Sequence, residues 1–298
     1  MNICQPKIKG IVLILLSALM FGSYGIWSRF MGQEFGPFYQ GWTRALIIVL
    51  IVLPLLLSRK EIVRIERADR KWIVTFLIFT SLTQAPLYYA FNHMDIGSAT
   101  LLFFVTMLLT MYVVGFLFLG ERLTIVKAAS FALALAGMYL VFSFSLVTFT
   151  AFAAAAAVLN GIASGGEVSF SKKLSGNYSA LYLTWLSWLI IFPTNGVVSL
   201  MIGEVQHIPS FHIVWLYQLG YVAASIVGFW AVIEGVKYVE ASVGGLLGLL
   251  EIVFSITLGL LLFHEQLTPK TVLGGVVILI AAALPHFVDI AKRRLRMA

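Results

Sequence analysis

Apolar residues occupy the chain in ten long runs, and the polar and charged residues gather between them. Each run has about the twenty residues that a helix needs to cross a bilayer. The runs lie at residues 10–28, 37–57, 72–92, 98–119, 127–145, 149–171, 180–202, 212–235, 243–263 and 271–290. The pattern predicts an all-α integral membrane protein with ten transmembrane helices and no separate soluble domain.

The stretch between Lys127 and Lys172 carries a single charged residue, Glu167. Because an α-helix rises about 1.5 Å per residue, this stretch is far too long for one span. We therefore expect the chain to fold back near Ser143 to Thr150, with the fifth span before this turn and the sixth after it.

The chain also contains an internal repeat. Glu121-Arg122-Leu123-Thr124 ends the fourth run, and Glu265-Gln266-Leu267-Thr268 ends the ninth run. Five spans separate the two strings, and an odd number makes the second copy cross the membrane in the opposite sense. Further pairs lie almost the same distance apart along the chain and share one common offset: Trp42 with Trp185, Trp72 with Trp215, Gly22 with Gly165, and Tyr39 with Tyr182. We predict two inverted five-helix repeats, residues 1–147 and 148–298.

The charged residues predict the orientation of the chain. With the amino terminus in the cytoplasm, nearly all lysines and arginines fall in cytoplasmic segments, whereas only Arg29 and Lys270 fall outside. Among the lysines and arginines, Arg44 alone lies within a span. Cytoplasmic loops of membrane proteins carry this excess of positive charge, so both termini are predicted to be cytoplasmic.

Composition excludes several classes of protein. Hydrophobic residues make up 60% of the chain and charged residues 11%, with a mean hydropathy of +0.98, which is outside the range of soluble domains. The single cysteine, Cys4, rules out an intramolecular disulfide framework and offers no structural metal cluster. The net charge of +7 is interpreted as topological, so no nucleic-acid partner is predicted. No metal and no cofactor are predicted either.

Several motifs, in their order and spacing, resemble a known family. They are Gly120-Glu121-Arg122-Leu123-Thr124, its echo His264-Glu265-Gln266-Leu267-Thr268, Pro37 with Arg44 two helical turns later, and Glu251 within the ninth span. The chain resembles the drug/metabolite transporter superfamily, of the ten-helix type built from two EamA-like repeats. Many relatives have proline after the ninth-span glutamate, where this chain has Ile252, so the local helix geometry of those relatives is not assumed.

This resemblance implies a transporter of a small metabolite, often an exporter of amino acids or amphipathic organic compounds, with a pathway between the repeats. The predicted location is a bacterial cytoplasmic (inner) membrane. The oligomeric state and the identity of the substrate do not follow from the resemblance.

Glu251 and Arg44 are the first candidates for substrate binding or coupling. An ionised carboxylate in mid-span is costly unless it is paired, protonated or in contact with water. Glu251 could therefore exchange a proton for substrate or pair with a substrate ammonium group, or it could be a protonated structural residue. Arg44 could clamp a substrate carboxylate, or its side chain could extend to the outer interface.

Further candidates are polar or aromatic. Gln84 and Asn160 fall near the centres of the third and sixth spans, as binding groups or as interhelical hydrogen bonds. Pro86 is expected to kink the third helix and free a backbone carbonyl. Trp42 and Tyr88 could form aromatic walls of a cavity. Glu167 and Glu234, closer to the cytoplasmic ends of their spans, are secondary candidates.

Other roles and functions remain as alternatives. Glu121 and Glu265 are expected to be structural residues at helix ends, where Thr124 and Thr268 cap the following helices. An integral-membrane enzyme would use His93-Met94-Asp95 or His264-Glu265, but neither has a metal-ligand spacing or a nucleophile beside it. A phosphosugar or nucleotide-sugar transporter would need more deep cations than Arg44, and a passive channel would conduct without saturation. We predict a secondary transporter that works by alternating access, coupled to protons or acting by exchange.

Overall fold

A computed structural model describes residues 4–32, 34–142 and 150–297. Within these ranges the chain is helical and contains no strand. The helices are α1 (Cys4–Gly22), α2 (Tyr24–Met31), α3 (Pro37–Arg59), α4 (Arg70–Ser81), α5 (Ala85–His93), α6 (Ile96–Phe118), α7 (Ile125–Phe142), α8 (Ala151–Leu174), α9 (Ala180–Met201), α10 (Ile213–Gly235), α11 (Ala241–Gly248), α12 (Leu250–Phe263) and α13 (Pro269–Met297).

The ten predicted spans are confirmed. In the described ranges, ten helical segments are long and apolar enough to cross a membrane: Gln5–Met31, Pro37–Arg59, Arg70–His93, Ile96–Phe118, Ile125–Phe142, Ala151–Leu174, Ala180–Met201, Ile213–Gly235, Ala241–Phe263 and Pro269–Asp289. The expected fold-back near Ser143 to Thr150 and the predicted boundary between the halves fall on residues 143–149, outside the described residues.

Three of the spans consist of two helices with a break between them. The first span breaks at Ser23, the third between Ser81 and Ala85, and the ninth at Leu249. The ninth span therefore breaks beside Glu251 although the residue that follows, Ile252, is not a proline. The break in the third span brings non-helical backbone at Gln84 to the middle of the bundle, where such backbone persists only beside protein or a cavity.

The break in the third span has a clear physical cause. Pro86 has no N–H with which to bond the carbonyl of Leu82, one helical turn earlier. Asn160 of α8 supplies the missing donor, because its Nδ2 lies 3.1 Å from the Leu82 oxygen. The expected kink and freed carbonyl are thus present, and Asn160 makes an interhelical hydrogen bond.

The helices pair across the two halves of the chain in a regular way. Helix α3 packs on α9, and α7 packs on α13. Helix α1 lies against α10 and α12, while α8 lies against α4, α5 and α6. The set of pairs is symmetric between the two halves of the chain. When each span is replaced by the span five positions away, every pair becomes itself or another pair of the set.

The start of the first span lies beside the end of the tenth. Lys7 forms an ion pair with Asp289 there, and Lys9 donates a hydrogen bond of 2.8 Å to Tyr238 at the end of the eighth span. We call this side of the bundle the terminal face and the other side the opposite face.

Candidate substrate cavity

A cavity of about 400 Å³ lies in the middle of the bundle. Its walls come from both halves of the chain and are mainly aromatic and apolar, with a few polar groups. The polar and charged side chains in the wall include Arg44, Gln84, Glu167 and Glu251. A second cavity shares Phe21, Tyr24 and Glu251 with the first and continues between the first, third, fourth and ninth spans to Thr100 and Ser255.

Arg44 lies in the wall inside a cage of aromatic rings. Its side chain is buried, with 4% of the residue exposed. The guanidinium carbon lies 3.8 Å from the ring centre of Tyr221, 5.1 Å from that of Trp188 and 5.3 Å from that of Tyr24. The rings stabilise the positive charge through their π-faces, so Arg44 is held inside the bundle and does not extend to the membrane interface.

The guanidinium of Arg44 has no anionic partner among the described residues. Neither Nε nor Nη1 makes a hydrogen bond within the protein. A buried cation without a hydrogen-bonded counter-charge is energetically expensive. The arrangement therefore offers unused donors that a ligand carrying an anionic group could satisfy.

Glu251 follows the break in the ninth span, in the first turn of α12. Helix α1 approaches this turn closely, because a Cβ atom on Gly22 would lie 2.8 Å from the carbonyl oxygen of Glu251. The carboxyl group faces the main cavity and the second cavity. Within the described ranges it makes no ion pair or hydrogen bond, so it is available to a ligand or to a proton.

Glu167 also faces the main cavity, but hydroxyl groups hold its carboxyl. Its Oε1 lies 3.0 Å from Thr80 Oγ1 and 2.9 Å from Ser187 Oγ. Glu167 has 6% of its surface exposed. Its position in α8 is therefore fixed by α4 and α9, in contrast to the position of Glu251.

The structure places the other candidates in two groups. Gln84, at the break of the third span, and Tyr88 line the main cavity. Asn160 is fully buried, donates its hydrogen bond to the carbonyl of Leu82, and lies outside the cavity lining. Trp42 also lies outside it, where its indole N–H donates to Gln206 at 3.1 Å. Glu234 lies at the terminal face, bonded to Lys237 at 2.7 Å.

Sequence reasoning missed Tyr221, Trp188 and Ser187. The repeat offers a signal for Ser187, because the offset that relates Trp42 to Trp185 also relates Arg44 to Ser187. Nothing in the sequence distinguishes Tyr221 from the other tyrosines. Its position against Arg44 depends on how the eighth span packs on the second.

Glu121 forms a cluster at the terminal face, outside the spans. Its carboxylate accepts hydrogen bonds from Lys172 at 3.1 Å and from Ser242 Oγ at 2.7 Å, and it also accepts from the backbone N–H of Ala241 and of Ser242. It thus ties the end of the fourth span to the start of the ninth. Burial opposes ionisation, but Lys172 and the hydrogen bonds from Ser242 and Ala241 outweigh it and hold the pKa of Glu121 below its ordinary value.

The expected caps at the two repeated strings are present. The Thr124 hydroxyl accepts from the backbone N–H of Lys127 at 3.3 Å, and that of Thr268 accepts from Thr271 at 3.1 Å.

A Glu121→Gln variant is expected to be less stable than the wild type at neutral pH by about 2 kcal/mol, because charged hydrogen bonds to buried donors are lost. A lowered pKa in the folded state means that this contribution is complete above the ordinary glutamate pKa of about 4.3. It disappears as the pH falls through the lowered folded value. Thermal unfolding of both proteins in detergent from neutral to acidic pH measures this, and a stability difference that persists on acidification would contradict it.

The described residues contain no group of three or more histidine, cysteine, aspartate or glutamate side chains that could hold a metal ion.

In the part of the chain that the structure describes, ten apolar helical segments surround a central cavity, as in a multi-pass integral membrane protein. A family model, the EamA-like transporter family, matches the chain twice, over residues 8–143 and 151–285. The chain belongs to the EamA-like transporter family. The predicted resemblance is confirmed, and family membership makes the protein a transporter and not an enzyme.

Individual proteins agree with this assignment. A protein of Archaeoglobus fulgidus named an uncharacterized transporter is 26% identical to the chain over 276 residues, which are 89% of this chain and 92% of that protein. A solved crystal structure matches with a TM-score of 0.71, covers 96% of this chain and 98% of its own, and is 16% identical. At that identity the crystal structure shows the shared fold alone.

Proposed function

We propose that the protein transports a small amphipathic organic metabolite that carries a carboxylate, such as an amino acid-like compound, by alternating access. The observation that supports this proposal is the buried guanidinium of Arg44 in the cavity wall, with Nε and Nη1 unpaired. A planar guanidinium matches a carboxylate with two parallel hydrogen bonds. Binding of the substrate would then complete the pairing that the protein leaves open.

The remaining cavity wall suits the apolar part of such a substrate. Phenylalanine and methionine side chains form much of it, including Phe21, Phe103 and Met107. Two carboxyl groups, Glu167 and Glu251, share the cavity with the single arginine. They would repel the several negative charges of a phosphosugar or nucleotide sugar, whereas Glu251 would attract a substrate ammonium group.

Alternating access is supported by the relation between the halves. The helix pairs stay the same when the halves are exchanged, and the family model matches each half separately. The glycine contacts repeat as well: Gly22 packs on the carbonyl of Glu251, and Gly165 packs on the carbonyl of Met107. We infer two oppositely threaded repeats around a site in mid-membrane, with both termini in the cytoplasm, in a bacterial inner membrane, and with export as the direction of net flux.

A binding panel tests the substrate class. Purified protein in detergent is heated with amino acids, the matching amines that lack the carboxylate, and nucleosides. A ligand that binds the folded form raises the apparent melting temperature. We expect stabilisation by a carboxylate-bearing compound and none by its decarboxylated amine. Saturable counterflow of that compound in proteoliposomes should follow, and stabilisation by the amine alone would contradict the proposal.

A further inference from the structure

The two glutamates of the repeated strings, Glu121 and Glu265, occupy matching loops at opposite faces of the bundle. The backbone N–H of Glu121 donates to the carbonyl of Gly115, and that of Glu265 donates to the carbonyl of Gly259. Each glycine packs directly against the glutamate of its own loop. The two loops are therefore built in the same way from equivalent residues of the two repeats.

Each glutamate also pairs with a cation at the end of a neighbouring span. Glu121 meets Lys172, at the end of the sixth span, at 3.1 Å. Glu265 meets Arg29, at the end of the first span, at 2.5 Å. Arg29 and Lys172 are equivalent in the two repeats, because the offset between them is the one that relates Trp42 to Trp185. The carboxylate–cation unit is thus assembled at both faces.

The difference lies in the third partner. At the terminal face Glu121 accepts hydrogen bonds from Ala241 and Ser242 at the start of the ninth span. The equivalent residues for Glu265 are Gly97 and Ser98, at the start of the fourth span. Ser98 instead donates its backbone N–H and its hydroxyl to Asp95, at 2.8 and 3.1 Å.

The exposure of the two carboxylates differs in the same sense. The Glu121 side chain is 5% exposed, whereas that of Glu265 is 50% exposed. The second cavity extends toward the start of the fourth span and reaches Thr100 of α6. The fourth and ninth spans are therefore tied together at the terminal face, while Glu265 stands apart from the start of the fourth span at the opposite face.

The second and seventh spans show no such difference. Glu61 at the end of the second span accepts from Ser179 at 2.6 Å, at the start of the seventh. Its counterpart Glu204 lies after the seventh span. The Glu204 carboxylate accepts hydrogen bonds of 3.1 and 2.6 Å from the backbone N–H groups of Phe38 and Tyr39, which lie at the start of the second span. This helix pair is fastened at both ends, so the second and seventh spans do not share the asymmetry of Glu121 and Glu265.

We propose that Glu265 and Ser98 form a second lock, which closes the opposite face in the other transport state. In that state the Glu265 carboxylate, still paired with Arg29, accepts from Ser98 and from the backbone N–H groups at the start of α6, in place of Asp95. Negative charge is favourable at a helix N-terminus. The inference rests on the proposed alternating access, and it adds the residues that close one side of the pathway.

The partners of Lys172 indicate how the displaced Asp95 would be accommodated. Lys172 donates a hydrogen bond of 2.6 Å to the backbone carbonyl of Val239. Val239 in the second repeat is equivalent to Asp95 in the first repeat. Closure at the opposite face would therefore bring Arg29 to the backbone carbonyl of Asp95, beside the Asp95 carboxylate. The arginine would then lie between the two carboxylates, which removes their mutual repulsion.

Cysteine labelling tests this lock in the full-length protein. In a Cys4→Ser background, an Ala241→Cys reporter is fully buried under the Glu121 cluster, so its maleimide labelling rate follows the population that is open at the terminal face. We expect Glu265→Gln to lower this rate about tenfold, because a charged hydrogen-bond network that stabilises only that population is lost. Ser98→Ala should act in the same direction.

Two further variants make the result specific. Glu204→Gln removes a carboxylate from the same face without affecting the proposed lock, so the labelling rate should stay at the wild-type value. Glu121→Gln should raise the rate, because it releases the terminal face. An unchanged or raised rate in Glu265→Gln, with Glu121→Gln still raising it, would overturn the lock alone. Identical rates in all variants would also remove the support for alternating access.

Discussion

Arg44→Gln is expected to weaken binding of the carboxylate substrate strongly while it stabilises the empty protein. Truncating one partner of a buried, hydrogen-bonded charge pair costs about 2–5 kcal/mol, so affinity should fall by about thirtyfold to a few thousandfold. Without ligand, the variant no longer buries an unpaired cation, and its melting temperature should rise. The measurement is thermal unfolding with and without the best ligand of the binding panel.

The chain offers a matched control on the same helix. Arg59 ends α3, and its side chain is 64% exposed, so Arg59→Gln should change neither stability nor ligand binding. Arg44→Lys keeps the charge but loses the planar fork, and it should fall between the wild type and Arg44→Gln. If Arg44→Gln destabilises the empty protein and leaves affinity unchanged, Arg44 is a structural residue.

The ten spans could be predicted because bilayer thickness fixes the length of an apolar run, and the structure keeps each run as one span. The kink at Pro86 could also be predicted, since proline lacks a donor wherever it occurs. The break at Leu249 could not, because no proline marks it. It lies where α1 approaches the ninth span closely, at Gly22 and Glu251, and such a contact between helices is a property of the assembled bundle.

The candidate cavity was predictable only in part. An ionisable residue inside a span is conspicuous in any sequence, so Arg44, Glu167 and Glu251 could all be identified, and all three line the cavity. The aromatic cage could not, because tyrosine and tryptophan are also common at membrane interfaces. Trp42 illustrates the limit: it stands close before Arg44 in the sequence, yet the helix turns its ring away from the cavity and toward Gln206.

The two cavity carboxyl groups are expected to differ in their roles because they differ in their partners. Thr80 and Ser187 hold Glu167 in place, whereas Glu251 faces both cavities without a partner in the described part of the chain. A partner-free carboxyl beside Tyr24 and the Arg44 cage can release a proton when substrate binds and recover it when substrate leaves. We therefore propose Glu251 as the coupling group.

Glu251→Gln is expected to remove the pH dependence of flux, because the amide is neutral at every pH. In proteoliposomes loaded with the best ligand, an inward proton gradient should accelerate efflux by the wild type and have no effect on the variant. Counterflow without a gradient should persist in Glu251→Gln, which shows that the protein is folded and still exchanges substrate. Glu234→Gln, at the terminal face and outside the cavity, is the matched control and should respond like the wild type. A proton response that survives in Glu251→Gln and disappears in Glu167→Gln would move the coupling role to α8, where the two hydroxyl groups would then act as its proton-exchange partners.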